Sequence, residues 1–375
     1  MPLGVYVHYP YCARHCPYCD FNVAVTASVP HARYAEAVCA EITARMDAFA
    51  DRPPASTIYF GGGTPGMWPA QYVGAVIRAI EERVGLDKGA EITVEFNPED
   101  ASQERIMSLL DVGVNRLSLG TQSFDDDHLK MLGRQHDGAQ AQRAVEIARR
   151  AGVTNLSIDL IHGMRGQSLR GALEDVATAI SLDPEHISTY QLTVEDKTVF
   201  GARRRRGESL LVDEERLLEF FLEIREALRR HGYTPYEISS AARPGFESRH
   251  NMLYWMLSEY LALGAGAHGF RRVGDGGVRW ENERHPGRYM AAALRGHPAV
   301  TFEESSTADE VLEEQIMTGL RMDQGVSVDE RHWQKFGAQA RLLETDGLLI
   351  SEAGCWRVTN RGRTVLDTVI LRLLG

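Results

Sequence analysis

The sequence predicts an α/β protein, a partial (β/α)6 barrel followed by a mainly helical, winged-helix-like C-terminal unit. Three observations predict it. From residue 3 to about residue 200, short apolar runs alternate with amphipathic segments, the pattern of βαβ units around a parallel sheet. Glycine and polar residues recur just past the apolar runs, where α/β folds build their sites. Beyond residue 300 the order changes to helix, helix, hairpin and helix.

Taken in order, Gly4–His8 reads as the first strand and leads into a cysteine-rich loop. His31–Ala48 is helical. Thr57–Phe60 is a second strand that ends in Gly61-Gly62-Gly63-Thr64-Pro65, and a helix follows over Ala70–Val84. Glu91–Phe96 closes on Asn97-Pro98-Glu99, and Arg116–Leu119 ends in Gly120-Thr121-Gln122-Ser123-Phe124. Gly138–Ala151 is helical, Leu156–Ile161 is the fifth strand, Ala172–Leu182 is a helix and His186–Leu192 is the sixth strand. Six repeats in this length fit a partial barrel better than a closed eight-fold one. The right-handed crossover rule makes that curvature natural, and an open doubly wound sheet is the alternative.

Past Phe200 the pattern shifts to one long helix at Asp213–His231, a seventh strand at Tyr236–Ser239, a helix at His250–Tyr260 and a glycine-rich stretch at Leu263–Phe270. From Val300 come two helices, a hairpin of Leu348–Ser351 and Trp356–Thr359, and a last helix. The expected division is 1–200 for the barrel core, 201–298 for an extension and 299–375 for the winged-helix-like unit. Such units often bind DNA, but the basic residues here reduce to Arg357, Arg361 and Arg363, so a lid or packing role is expected.

Composition limits the function classes. At 375 residues, 43% apolar and 25% charged, the chain has the make-up of a soluble globular protein. No apolar run approaches the roughly 20 residues that span a bilayer, and the start is not a signal peptide. A net charge of −11 disfavours a nucleic-acid surface, and Arg203–Arg206 reads as a solvated face. Of the five cysteines, three are crowded together and Cys39 and Cys355 stand alone. That is no disulfide framework, and it suits a reducing cytoplasm.

The chemistry concentrates in Cys12-x3-Cys16-x2-Cys19. Three thiolates hold three irons of a cluster that four cysteines would normally satisfy, which leaves one iron open for a substrate. Zinc is the rival, with His8 or His15 as a fourth ligand. Gly61–Gly63 follows the next strand, and glycines let a backbone approach a ligand closely. Asp159 is a charge in an otherwise apolar strand, costly unless partnered; it reads as a ligand or a partner for Arg134. His250 and Tyr254 lie one turn apart on a helix face, with Trp255 beside them. Histidine is a common axial heme ligand, and flat aromatics pack against a porphyrin. A bland reading of that segment, with a polar helix start and core aromatics, stands beside it.

The cysteine spacing resembles the radical S-adenosylmethionine (SAM) superfamily. That resemblance implies a [4Fe–4S] cluster on Cys12, Cys16 and Cys19, with SAM on the open iron and cleaved there to a 5'-deoxyadenosyl radical. It places Tyr18 near the adenine, puts the Gly62–Thr64 backbone on the methionine amino group and makes Glu95 an acceptor for the ammonium or ribose. The succession Tyr6-x-His8-x-Pro10-x-Cys12, Gly61–Pro65, Gly120-x-Gln122-x-Phe124 and Asp159-Leu160-Ile161-x-Gly163 is similar to the oxygen-independent coproporphyrinogen III oxidase family. It implies that Tyr6, Gly62 and Glu95 meet SAM, and that Tyr18, Gly63, Thr64, Gln122, Arg134, Asp159 and Thr193 match a second SAM site. Two departures point elsewhere. Phe21 stands where the oxidase has one more cysteine, and Cys12 comes nearly at the start, where the oxidase has an extension.

These features, together with His250-Asn251-Met252-Leu253-Tyr254-Trp255, resemble the HemW branch of heme chaperones. The resemblance implies heme binding, with His250 as the leading contact and His268 as a second candidate ligand or a residue of the SAM pocket. It further implies delivery of heme to respiratory apo-hemoproteins, with a transient membrane-side contact and a homodimer among the expectations. An enzyme, the oxidative decarboxylase of coproporphyrinogen III, is the alternative function.

Overall fold

A computed structural model describes residues 2–49 and 51–375. Six parallel strands come first, β1 (Leu3–Tyr9), β2 (Ala55–Gly62), β3 (Leu86–Phe96), β4 (Arg116–Gln122), β5 (Leu156–His162) and β6 (His186–Gln191). They lie side by side in sequence order. A doubly wound sheet reverses its order at a switch point, and this one does not, so the barrel reading holds.

The strand sequences explain the curvature. Side chains alternate between faces, and one set is apolar throughout: Val5 and Val7, Ile58 and Phe60, Val94 and Phe96, Leu117 and Leu119, Ile158 and Leu160, all buried in one core. The helices pack on that face. His31–Phe49 buries Val38 and Ile42, Ala70–Arg83 buries Val73, Val76, Ile77 and Ile80, and Gln103–Asp111 buries Ile106 and Leu109, each at helical spacing. Their starts are capped where the sequence allows it. Ser102 accepts from the Arg105 amide, Ser168 from the Gly171 amide, and Asp137 and Gln140 form a capping box.

The second half departs from expectation. Tyr236–Ser239 is not a strand; it connects β7 (Thr234–Pro235) to β8 (Ser240–Ala242), of which β8 pairs antiparallel with β6 and β7 antiparallel with β8. Glu237 folds back to accept from the Ser239 amide at 2.8 Å, which turns the chain. The helix expected over His250–Tyr260 runs only Arg249–Trp255. Leu257, at φ +49°, ends it and releases Tyr260–Leu263 to form β9, parallel to the other edge of β1. The glycine-rich stretch is a turn between β9 and β10 (His268–Val273), which pairs antiparallel with β11 (Gly276–Asn282). Val300–Ser306 is strand β12 on β11, so the main sheet runs past residue 299 to twelve strands.

The remaining chain packs separately. Helices Ala308–Gly319, Glu330–Thr345 and Leu366–Leu374 and a small sheet, β13 (Val326–Ser327), β14 (Leu349–Glu352) and β15 (Cys355–Val358), surround Ile316, Phe336, Leu343, Trp356, Val369 and Leu373. Asp323 ties this unit to the barrel through a two-pronged bond from Arg225 at 2.7 and 2.8 Å. The basic residues noted in the sequence are occupied: Arg357 faces Glu352, Arg363 faces Asp323, and Arg203–Arg206 pair with Asp196 and Glu208. Among the described residues no helix is long and apolar enough to cross a membrane.

Candidate cofactor and ligand site

The cysteine loop is seated on the glycine triplet. The Gly63 amide donates to the Tyr9 carbonyl at 2.8 Å and the Thr64 amide to the Tyr11 carbonyl at 2.9 Å. A Cβ on Gly63 would stand 2.6 Å from the Tyr11 oxygen, so only glycine allows this backbone-on-backbone approach. Above the triplet, Cys12, Cys16 and Cys19 line a cavity of about 620 Å³. Thr64 Oγ1 donates to Cys12 Sγ at 3.4 Å and Arg134 Nη1 to Cys16 Sγ at 3.8 Å. Arg134 is fixed by Asn97 Oδ1 at 2.6 Å and the Gly120 carbonyl at 2.9 Å, and Asn97 in turn donates to Thr64 at 3.1 Å. One connected network therefore supports two of the three sulfurs. Burial pushes the Cys19 thiol up to about 11 and also raises Cys12, so metal binding at these thiols releases protons.

The donor set suits a cluster. Among the described residues no three His, Cys, Asp or Glu side chains converge on one ion, whereas a four-iron cluster takes one thiolate per iron. Of the two histidines that a zinc site would recruit, His8 has both ring nitrogens engaged, with the Tyr6 hydroxyl and the Asn22 carbonyl, while His15 bonds the Cys19 carbonyl through Nε2 at 3.0 Å.

Tyr18, Gly62, Gly63, Thr64, Glu95, Gln122, Arg134, Asp159 and Thr193 all line this same cavity. Glu95 accepts from the Tyr59 hydroxyl at 2.8 Å and the Gly62 amide at 3.1 Å. Burial outweighs those two bonds and pushes its carboxyl up to about 7. Gln122 sits at a register break between β4 and β5 with φ +68°, a strained conformation of the kind that clusters at ligand sites. Asp159 does not meet Arg134. It accepts from Ser118 at 2.8 Å and Ser157 at 3.2 Å, hydroxyls that partner a buried carboxylate without neutralising it.

A second cavity, of about 950 Å³, continues through the barrel and shares Phe21, Tyr59, Gly62, Glu95, Ser118 and Tyr190 with the first. Tyr6, His250 and His268 line it. His250 and Tyr254 do lie on one face, at 2.8 Å from Nε2 to the hydroxyl, while Nδ1 meets Thr57 Oγ1 at 2.7 Å. The residue is 1% exposed, and burial, aided by the Arg116 charge, holds its imidazole down at about 3. Both ring nitrogens are therefore engaged. His268 lies at the start of β10 with its side chain 62% exposed. Phe21 is 59% exposed between the cavities.

Residues 6–179 match the Radical SAM superfamily and residues 306–365 the HemN C-terminal domain. The heme chaperone HemW of Haemophilus influenzae is 33% identical over 98% of this chain and 97% of its own length. That of Bacillus subtilis is 35% identical over 99% of both chains. The chain belongs to the HemW family. A mitochondrial radical SAM domain-containing protein 1 of Bos taurus is 33% identical over 99% of this chain and 87% of its own. In fold, this HemW-family chain is similar to the solved coproporphyrinogen III oxidase of Escherichia coli, with TM-score 0.83 at 22% identity over 99% of this chain and 90% of that one.

Sequence reasoning missed part of this site in the HemW-family chain. Tyr59, Arg116, Ser118, His186 and Ser188 line the larger cavity, yet none stood out in its motif. The available signal was alternation. Polar residues interrupt apolar strands at alternate positions, and several pair across the sheet: Tyr6 with Tyr59, Glu95 with Ser118, and Asp159 with Ser188. Arg116 is 2% exposed, and its Nε has no hydrogen-bond partner among the described residues.

Proposed function

We propose that this chain is a heme chaperone that carries a [4Fe–4S] cluster on Cys12, Cys16 and Cys19, binds SAM beside it, and hands heme to apo-hemoproteins. The observation that carries the reading is full-length similarity to proteins named heme chaperone HemW, joined to Phe21 in place of the oxidase's further cysteine. Bound there, the cluster supplies a low-potential electron and an open iron.

The chain's own residues do the rest. Arg134 and Thr64 place positive charge and a donor against two sulfurs, Gly62 and Gly63 open their backbone to the methionine end of SAM, and Glu95 receives its ammonium. Gln122, Asp159, Thr193 and Tyr18 wall the remainder of that pocket. Heme belongs to the larger adjoining cavity, whose wall carries tyrosines, histidines and Phe21. The homodimer and the membrane-side contact gain no support from the fold or the relatives, and the reading does not depend on them.

The test is anaerobic reconstitution followed by heme titration and mixing with an apo-hemoprotein. Saturable heme absorbance and its transfer to the recipient are expected. Absence of saturable binding refutes the reading. So does conversion of coproporphyrinogen III with matching 5'-deoxyadenosine when SAM and reductant are supplied.

A further inference from the structure

Four histidines line the larger cavity: His8, His186, His250 and His268. An imidazole takes iron only through a ring nitrogen whose lone pair is available. His8 uses Nδ1 with the Tyr6 hydroxyl at 3.0 Å and Nε2 with the Asn22 carbonyl at 2.8 Å. His186 uses Nδ1 with Ser157 and Nε2 with Tyr236, both at 2.8 Å. His250 is held in the same way by Thr57 and Tyr254. All three are at most 5% exposed, and ligation by any of them strands a buried hydroxyl or carbonyl at about 1–3 kcal/mol.

His268 is different. Its nearest acid, Glu281, stands 3.8 Å from Nε2, beyond hydrogen-bond reach, and most of the ring is exposed. It is fixed in backbone rather than side chain. It opens β10, follows the Gly264–Ala267 turn and lies directly across the ladder from Glu281. Glu281 is itself held by Arg284. Histidines that ligate metals generally donate their other ring N–H to a carboxylate, which fixes the tautomer and raises ligand basicity. A small closing of the cross-strand pair brings Glu281 into that role and leaves Nδ1 for iron.

Other ligand types are poorly provided. No cysteine or methionine is among the described residues of this cavity wall. Its phenols at Tyr6, Tyr59, Tyr254 and Tyr260 are all driven above the ordinary range by burial, which opposes the phenolate that iron needs. Phe21 offers a flat apolar ring on the same wall.

We propose that His268 is the axial ligand of the carried heme iron, with Glu281 as its positioning residue, and that His250 holds the cavity floor without touching iron. The assignment rests on the heme-chaperone reading. Binding forms one dative nitrogen–iron bond, releases a weakly held water from the iron, and changes no oxidation state. An exposed ligand at the start of β10 also suits a heme that must be passed on, since no buried hydrogen bond is remade at release.

The experiment compares heme complexes of wild type, His268→Ala, His250→Phe and Glu281→Gln by absorption and electron paramagnetic resonance. His268→Ala is expected to lose the histidine-ligated spectrum, to regain it on addition of free imidazole, and to keep its thermal unfolding unchanged. His250→Phe keeps that spectrum, and Glu281→Gln weakens heme affinity about tenfold. A His268→Ala complex with the wild-type spectrum overturns the assignment, as does a folded His250→Phe complex that loses it. Wild type with no saturable heme binding removes the chaperone reading as well, an outcome separate from either.

Discussion

His250→Ala is expected to fail through stability, and the structure sets the scale. The ring lies 5.1 Å from Tyr59 and 6.4 Å from Tyr6 in stacked arrangement, with Tyr254 edge-on at 5.1 Å. Removing a buried ring of this size costs about 3–5 kcal/mol. Two hydrogen bonds go with it, leaving the Thr57 and Tyr254 hydroxyls to find water or stay unpaired. The helix start itself is kept in the variant, because its first amides, at Arg249 and residue 250, donate to Glu91 through backbone at 3.1 and 3.0 Å. A loss of about 4 kcal/mol lowers a urea midpoint by roughly 1 M or more. The assay is urea unfolding of His250→Ala and His250→Phe beside wild type, followed by circular dichroism and tryptophan fluorescence. The phenylalanine variant restores ring volume and should recover a large part of the loss. A His250→Ala protein with the wild-type midpoint refutes the view of His250 as a structural residue and returns it to the ligand set.

Four further outcomes follow from the same geometry. Alanine at Cys12, Cys16 or Cys19 abolishes the visible iron–sulfur absorbance after reconstitution, while alanine at Cys39 or Cys355 preserves it; equal loss at Cys39 would contradict the three-ligand assignment. Arg134→Ala withdraws the cation 3.8 Å from Cys16 Sγ and lowers the cluster reduction potential in a redox titration, and an unchanged potential counts against that contact. SAM should bind more tightly from pH 6 to pH 8, because the Glu95 carboxyl, raised by burial to about 7, ionises across that range. Equilibrium dialysis should show the trend flattened in Glu95→Gln.

The fourth concerns acid. Burial depresses His8 and His162 to about 4 and His250 to about 3. Between the ordinary histidine range and those values the unfolded chain binds protons that the folded chain refuses. Stability is therefore full above about pH 6.5 and falls as pH drops toward 4, by about 1.4 kcal/mol per unit for each such histidine. Urea midpoints that stay flat from pH 7 to pH 5 would show that these rings protonate in place.

By itself, the sequence determined the local chemistry: the three-cysteine loop, the glycine triplet that must follow a strand, and six apolar runs whose spacing demanded parallel βαβ units. These are short-range facts, because strand period, helix period and tight turns are set within a few residues. The sequence also brought forward Gln122, Arg134 and Asp159, and all three line one cavity. Tertiary structure alone decided what each polar group meets. Asp159 found serines instead of Arg134, because Ser157 lies two residues back on its own strand, Ser188 faces it across the ladder on β6, and Ser118 on β4 reaches its carboxylate. The stretch from residue 236 to residue 306 differs from expectation most at β8 and β9, which are three and four residues long and pair with the distant β6 and β1, so no local period marks them; the β10–β11 hairpin closes locally between Val273 and Gly276. His250 and His268 look alike as candidate ligands in the chain. Only the fold shows that one has both nitrogens spent in a buried network, while the other stands exposed at the start of β10 opposite a carboxylate.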